Sequence, residues 1–331
     1  MAEGTRTPDH RDHNPGLYQL SYRHRGRDRI ARAVRVLSSR RFPGPAWDEL
    51  DDVEVLAGPL TEVRPDVEAL AVVAEVVDDR LLDLLPNLRI VANYGVGYDD
   101  VDVAACERRG VAVTNTPGVL DAATADLTFG LVLAVRRRIV EGDRYVREGK
   151  WGSGWAEPFL LGDEVSGATI GIVGLGRIGS AVARRARAFD MQVVYARSHP
   201  DEESRPLDEL LADADVVSLH VPLTDETRGL IDARRLGLMR DGACLVNTAR
   251  GAIVDEEALV RELASGRLRA GLDVFAHEPA VPRELLDLPN VVLTPHVGSA
   301  TAATREAMTR VLVDNLLAAR DGRELPNRVY P

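Results

Sequence analysis

From Ala33 onward, short apolar runs alternate with segments of helical spacing, and that alternation predicts parallel sheets with helices on their faces. Runs at 34–38, 53–57, 70–74, 88–93 and 111–114 read as strands, with a helical segment over 78–85. One long helix is expected over 122–148, carrying the polar turn Arg136-Arg137-Arg138. A second series starts at Ala168, with strands at 169–173, 192–196, 216–220, 243–247, 270–274 and 291–294 and helices between most of them. Six strands match the count of a complete dinucleotide-binding fold. Residues 300–320 form one more helix, while residues 1–32 are polar, lack periodicity and read as a disordered extension.

A chain of 331 residues has room for about two domains, and 45% hydrophobic with 5% aromatic residues implies aliphatic cores. The formal charge of -11 repels phosphate backbones, so nucleic acid is not an expected partner. The one basic cluster, Arg23, Arg25, Arg27, Arg29, Arg32 and Arg35, falls largely in the extension. Two cysteines, Cys106 and Cys244, are too few for a disulfide framework or a zinc site, and the apolar run around Cys244 suggests a buried, inert thiol. No stretch is long and apolar enough for a membrane span and the start lacks a signal-peptide core, so neither membrane nor export is expected, and the expected compartment is the cytoplasm.

The first strand of the second series runs straight into Gly174-Leu175-Gly176-Arg177-Ile178-Gly179, with a helix after it. In that context the glycines permit a tight turn, backbone approach to a pyrophosphate, and close packing of helix on strand. Dinucleotide binding follows. At the end of the next strand, where NAD binders usually place an acid for the ribose 2′-hydroxyl, stand Arg197 and Ser198. A guanidinium there attracts a 2′-phosphate and no carboxylate is in view to oppose one, so NADP(H) is the preferred cofactor, with NAD(H) also possible.

Three more stretches lie at strand ends, where ligands bind in open α/β sheets: 246–251 with Thr248 and Arg250, 271–279 with Asp273 and Glu278, and 294–301 with His296 and Gly298. With these, and with Asn93-Tyr94-Gly95-Val96-Gly97-Tyr98-Asp99, the stretch 114–120 and His220-Val221-Pro222-Leu223-Thr224, the chain resembles the D-isomer-specific 2-hydroxyacid dehydrogenases. Within them it is most similar to the glyoxylate/hydroxypyruvate reductase branch, over essentially everything after Ala33.

The resemblance implies two Rossmann-like, doubly wound α/β domains, a cofactor domain (123–303) inserted into a flavodoxin-like substrate domain (33–122 plus 304–331), with the site in a hinged cleft. It implies that Arg250 binds the carboxylate and keto oxygen of a small 2-keto acid, that His296 is the acid/base, and that Glu278 pairs with it. Backbone N–H groups of Val96 and Gly97 would bind the other side of the carboxylate. Asp273 would bond the nicotinamide carboxamide region, with a structural helix-cap role as the alternative. The implied cofactor site comprises Thr116, Gly174, Gly176, Arg177, Ile178, Gly179, Arg197, Ser198, His220, Pro222, Thr248, Asp273 and Gly298. The stretch 141–155, with Trp151 and Trp155, resembles the arm through which such enzymes form homodimers.

Two positions depart from the family pattern. Asp190 stands where glycine is common. Ala74-Glu75 follows the third strand where relatives often have Leu-Ser, and Glu75 is expected to face the substrate, disfavouring anionic substrates or hydrogen-bonding a hydroxyl or amine. A phosphite oxidiser would carry a lysine near Val96, and a formate oxidiser a glutamine at the Glu278 position; neither is present. D-3-phosphoglycerate or another D-2-hydroxy acid remains an alternative substrate, without room for a regulatory tail domain after the last helix. A dinucleotide-sensing regulatory protein is the alternative from a different class, although it would not need Arg250, Glu278 and His296 together.

Overall fold

The computed structural model describes residues 34–152 and 159–329; the expected extension at 1–32 and Trp155 lie outside them. The first sheet contains β1 (Val36–Ser38), β2 (Val53–Val55), β3 (Ala69–Val72), β4 (Ile90–Asn93) and β5 (Ala112–Thr114). All pairs are parallel in the order β2-β1-β3-β4-β5, the flavodoxin-like order. Helices cover both faces, so β3 and β4 are buried along their whole length and their runs are continuous rather than alternating. Among the covering helices are α1 (Asp79–Leu84) and α2 (Val103–Arg108), each started by an aspartate: Asp78 accepts from Arg80 N and Leu81 N, and Asp102 from Ala105 N.

The expected helix over 122–148 is two helices, α3 (Asp121–Arg136) and α4 (Ile139–Arg147), separated by Arg138 at φ 53. The break has a nonlocal cause. Asp163 N donates to the Arg136 carbonyl at 2.8 Å, and the Arg136 guanidinium donates back to the Glu164 carbonyl. The returning chain thereby takes a carbonyl that a continuing helix would use.

The second sheet contains β6 (Thr169–Val173), β7 (Gln192–Ala196), β8 (Val216–Leu219), β9 (Cys244–Asn247), β10 (Arg269–Leu272) and β11 (Val291–Leu293). Its order is β11-β10-β9-β8-β6-β7, all parallel, with the direction of winding reversing between β6 and β8. The count of six is as expected, but among the described residues there is no strand beyond β7; the full dinucleotide order has one there and one fewer on the far side. Helix α3 packs across β9 and β10, where Gly271 lets Leu131 approach: a Cβ at Gly271 would lie 2.9 Å from that of Leu131. Helices α5 (Arg177–Ala188), α6 (Leu207–Asp213), α7 (Ala233–Leu238) and α8 (Glu256–Ala264) complete the layers. Asp190 takes φ 56 in the turn from α5 to β7, a conformation glycine enters without strain, which accounts for the glycine common there.

The last helix, α9 (Ala302–Arg320), returns to the first sheet. Met308, Leu312, Val313 and Leu316 are buried against Val36, Ala69, Ile90 and Tyr94. Tyr94 Oη donates to the Arg305 carbonyl at 2.6 Å, and Val329 N to the Val113 carbonyl at 2.8 Å. The expected boundaries at 122/123 and 303/304 thus fall in the first turns of α3 and α9. Both cysteines are buried; burial pushes the Cys106 thiol to about 11 and Cys244 to about 12, which keeps them as thiols. No helix among the described residues is long and apolar enough to cross a membrane.

Candidate active site

The glycine loop joins β6 to α5. Gly174 has φ +97, and a Cβ there would lie 2.8 Å from the His220 carbonyl group. A Cβ on Gly179 would lie 2.1 Å from the Gly174 oxygen, so strand and helix meet this closely only without a side chain. Nothing lies within 4 Å of the Cβ position of Gly176, which caps α5 without a side-chain bond. The first N–H closed by the helix is that of Ser180, bonded to the Gly176 carbonyl at 2.9 Å. Among the described residues, those of Arg177, Ile178 and Gly179 have no partner and point from the helix start. The Thr116 hydroxyl, beyond β5, is buried and makes no hydrogen bond among them. The open anion cradle fits the pyrophosphate of a dinucleotide.

Arg197, just past β7, is not free. Its Nη1 donates to Asp201 at 2.9 Å, and the other Asp201 oxygen accepts from Tyr195 Oη at 2.8 Å. The Tyr195 hydroxyl first, then the Ser204 N–H and Arg197, hold the Asp201 carboxyl below its usual range against the effect of burial. This corrects the expectation that no carboxylate opposes a 2′-phosphate. The turn in which Asp201 N meets Ser204 Oγ at 2.9 Å folds the acid back onto the arginine. Ser198 Oγ lies 3.1 Å from His199 Nδ1.

Other expected cofactor residues are occupied by the protein itself. The His220 ring bonds Ser218 Oγ at 2.8 Å, and burial lowers its pKa to about 4, so it is neutral and its backbone rather than its ring borders the glycine loop. The Pro222 carbonyl accepts from Thr227 Oγ1 at 2.6 Å, and Thr248 Oγ1 meets Thr128 Oγ1 at 2.8 Å, tying the end of β9 to α3.

Beyond β9, Asn247 braces the next turn, donating to the Arg250 carbonyl at 2.8 Å and accepting from Ala249 N at 3.0 Å. Arg250 Nε then reaches Asp99, on the loop after β4, at 2.9 and 3.1 Å, while Nη1 donates to the Ala249 carbonyl at 2.8 Å. A Cβ on Gly97 would lie 1.9 Å from Arg250 Nη2, so the guanidinium occupies the space the glycine leaves. The N–H groups of Val96 and Gly97 have no partner among the described residues. Two free amides and a guanidinium therefore converge at one place.

His296 Nδ1 bonds Glu278 Oε2 at 2.7 Å, and Glu278 Oε1 accepts from Phe275 N at 2.9 Å. Burial works to raise the Glu278 pKa, but the bonds from His296 and Phe275 outweigh it and hold the carboxyl below its ordinary value. His296 has φ 52, a strained conformation imposed by its loop. Asp273 holds that loop. Fully buried, its carboxylate accepts from Thr294 Oγ1 at 2.6 Å, Val297 N at 2.9 Å and Gly298 N at 2.8 Å, and its carbonyl accepts from His296 N at 2.8 Å. Asp273 thus braces the histidine, a structural role that leaves Oδ2 with a single donor, Gly298 N, among the described residues.

Glu75 differs from expectation. Its side chain turns back on its own loop, Oε2 accepting from Val73 N at 2.8 Å and Ala74 N at 3.2 Å, with Arg40 Nη2 at 3.6 Å from Oε1. Burial opposes its charge, but those amides outweigh it and lower its pKa. A carboxylate so satisfied does not present a bare charge to a substrate. Sequence reasoning passed over Asp99 and Asp201. Asp99 stood in the quoted 93–99 stretch, and the signal available was an acid beside a glycine pair in a chain that needs its arginine held.

A dinucleotide cradle on one parallel sheet, with Arg250 of that unit bonded to Asp99 of a second α/β unit, is the build of a nicotinamide-dependent oxidoreductase acting on a CH–OH group. The family model for the D-isomer specific 2-hydroxyacid dehydrogenase, NAD binding domain, matches residues 129–298. The glyoxylate reductase of Pyrococcus furiosus is 48% identical over 298 residues, 86% of this chain and 88% of that protein. The crystal structure of the TT0316 protein from Thermus thermophilus has a TM-score of 0.84 at 48% identity, covering 90% of this chain and 100% of that one. The NADPH-dependent glyoxylate/hydroxypyruvate reductase of Sinorhizobium meliloti, solved with NADP and malonate, has a TM-score of 0.82 at 38% identity, covering 90% and 97%. The chain belongs to the D-isomer specific 2-hydroxyacid dehydrogenase family.

Proposed function

We propose that this chain reduces a small 2-keto acid of the glyoxylate or hydroxypyruvate type to the D-2-hydroxy acid, using NAD(P)H. The observation that carries the reading is the His296–Glu278 pair at 2.7 Å, with His296 Nε2 left available beside the convergence of Arg250 with the Val96 and Gly97 amides. The relatives named glyoxylate reductase support the substrate class.

A bound nicotinamide supplies the hydride to the carbonyl carbon. Arg250 Nη2 and the two amides hold the substrate carboxylate, which fixes the carbonyl against His296. His296 gives a proton from Nε2 to the carbonyl oxygen, and the Glu278 carboxylate stabilises the imidazolium through Nδ1. An acid positioned in this way supplies roughly 10²–10⁴-fold in rate. Asp273 and Asn247 keep the two loops in place. NADP(H) is placed ahead of NAD(H) because Arg197 and Ser198 stand at the ribose end, with Asp201 as a competitor that a 2′-phosphate must displace. A homodimer, formed through the apolar face of α4, is part of the same reading.

The test is initial-rate oxidation of NADPH and NADH with glyoxylate, hydroxypyruvate, pyruvate and bulkier 2-keto acids, with His296→Ala alongside. Turnover of glyoxylate or hydroxypyruvate that His296→Ala abolishes, while cofactor binding persists, is expected. Tight dinucleotide binding with no turnover of any keto acid would favour the sensing role instead.

A further inference from the structure

A recess of about 330 Å³ lies at the carboxyl edge of the first sheet, between β1, β3, β4 and the start of α9. Its walls include Arg40, Arg41 and Arg305, with Val73 and with Phe42 stacked on Tyr94 at 4.3 Å between ring centroids. We infer that this recess receives the anionic far end of a longer 2-keto acid, with Arg305 as the residue that recognises it. The inference rests on the reading of the cleft as a 2-keto acid reductase and extends its substrate class to 2-keto dicarboxylates.

Placement is the first argument. Tyr94 follows β4, immediately before the Gly95–Gly97 loop, and Val73 follows β3. Helix α9 begins directly after the loop that carries His296, so Arg305 in its first turn stands on the same rim. The loop of Glu75 is joined to that of Asp99 through Val77 N and the Asp100 carbonyl at 2.8 Å, and Asp99 holds Arg250. A ligand whose carboxylate lies at Arg250 thus has the recess within the same group of loops.

Charge is the second. Arg41 pairs with Asp48 at 2.5 Å and Arg40 faces Glu75 at 3.6 Å, but among the described residues no carboxylate pairs with the Arg305 guanidinium, which lies 5.8 Å from the Tyr94 ring centroid. The first turn of α9 contains no acid, so the helix dipole adds to the positive field there instead of being offset. A cation at a helix start is disfavoured for the helix alone. Of the acids around the recess, Asp48 is spent on Arg41, and Glu75 has its charge met by two amides and Arg40, so their repulsion of an incoming anion is weakened; Glu306, packed on Gly44, is the acid it still meets.

Size is the third. A water occupies about 30 Å³ in the liquid, so the recess has room for several heavy atoms. Glyoxylate carries only hydrogen on its carbonyl carbon and would leave the space unfilled. A few carbons ending in a carboxylate would reach and neutralise Arg305.

The experiment compares 2-oxoglutarate with 5-methyl-2-oxohexanoate, its isostere with an uncharged far end, in the full-length protein and in Arg305→Met and Arg305→Lys, with glyoxylate measured in the unmodified protein. The bond from Tyr94 to the Arg305 backbone carbonyl does not depend on the side chain, so both variants keep the anchor of α9. In the unmodified protein, kcat/KM for the diacid is expected to exceed that for the isostere by roughly tenfold, the worth of one charge-assisted bond. The ratio is expected to shrink with added salt, to approach one in Arg305→Met and to persist in Arg305→Lys. A ratio near one in the unmodified protein, or one that Arg305→Met leaves unchanged, overturns the inference. Glyoxylate turnover with a ratio near one removes only this inference, whereas no turnover of any keto acid removes the reading of the cleft as well.

Discussion

Asp99 and Arg250 come from different sheets, and their contact decides where the guanidinium points. With Nε held by Asp99 and Nη1 by the Ala249 carbonyl, only the edge against Gly97 is left to face a substrate. Asp99→Asn keeps the shape and removes the charge. It is expected to lower kcat/KM by roughly 10–100-fold, with much of the loss in KM, because the arginine grips the substrate before and during reaction. Unchanged kinetics would mean that Ala249 suffices. At the ribose end, Asp201→Ala frees Arg197 and is expected to lower KM for NADPH by roughly 2–5-fold, with KM for NADH unmoved. Equal shifts for both cofactors would show that the pair matters only to the turn. Arg250, Glu278 and His296 were singled out in the sequence because each lies in a stretch just past a strand that carries the family resemblance. The acids Asp99 and Asp201 were not, because Asp99 meets its arginine only after two sheets have folded.

The apolar runs located the strands to within a few residues, since parallel strands buried on both faces leave long hydrophobic stretches. They failed at the α3–α4 break. The pattern through Arg136–Arg138 continues as a helix would, and the interruption comes from the 162–164 segment returning to cap Arg136. Helix α9 shows the opposite balance: its location was plain, but its packing partner was given by the family resemblance and is carried by Met308, Leu312 and Leu316 in the first sheet's core. Leu312 is 1% exposed, and Leu312→Ala is expected to cost about 2–5 kcal/mol, seen as a lower urea midpoint with an unchanged slope. A loss under about 1 kcal/mol would mean that the helix is held mainly by polar contacts such as Tyr94 to Arg305.

In the molecule as a whole, α4 stands out among the helices of the described residues because it buries nothing, and Ile139, Val140 and Val146 on it are 42–55% exposed, with Leu161 nearby in sequence at 66%. A helix of this composition on a lone subunit leaves its apolar stripe in water. Light scattering after gel filtration is expected to give twice the chain mass of 36.0 kDa, and the double change Val146→Asp, Leu161→Asp to give one chain mass. A monomer in the unmodified protein would leave the stripe without this partner and remove the dimer from the proposed function.

The sequence by itself determined the two α/β series and the cradle of Gly174, Gly176 and Gly179, and the family resemblance singled out Arg250, Glu278 and His296 in the loops that follow β9, β10 and β11. The series and the cradle are local properties, set by hydrophobic period and by backbone room that only glycine allows. The tertiary structure decided what each polar group spends its bonds on. It gave Asp273 to the His296 loop, Asp201 to Arg197, Glu75 to its own backbone and Asp99 to Arg250. Among the described residues it left the Arg305 guanidinium without a carboxylate and the Val96 and Gly97 amides unpaired. Hydrogen bonds and ion pairs act over about 3–4 Å, and such distances between residues far apart in the chain exist only once the sheets are packed.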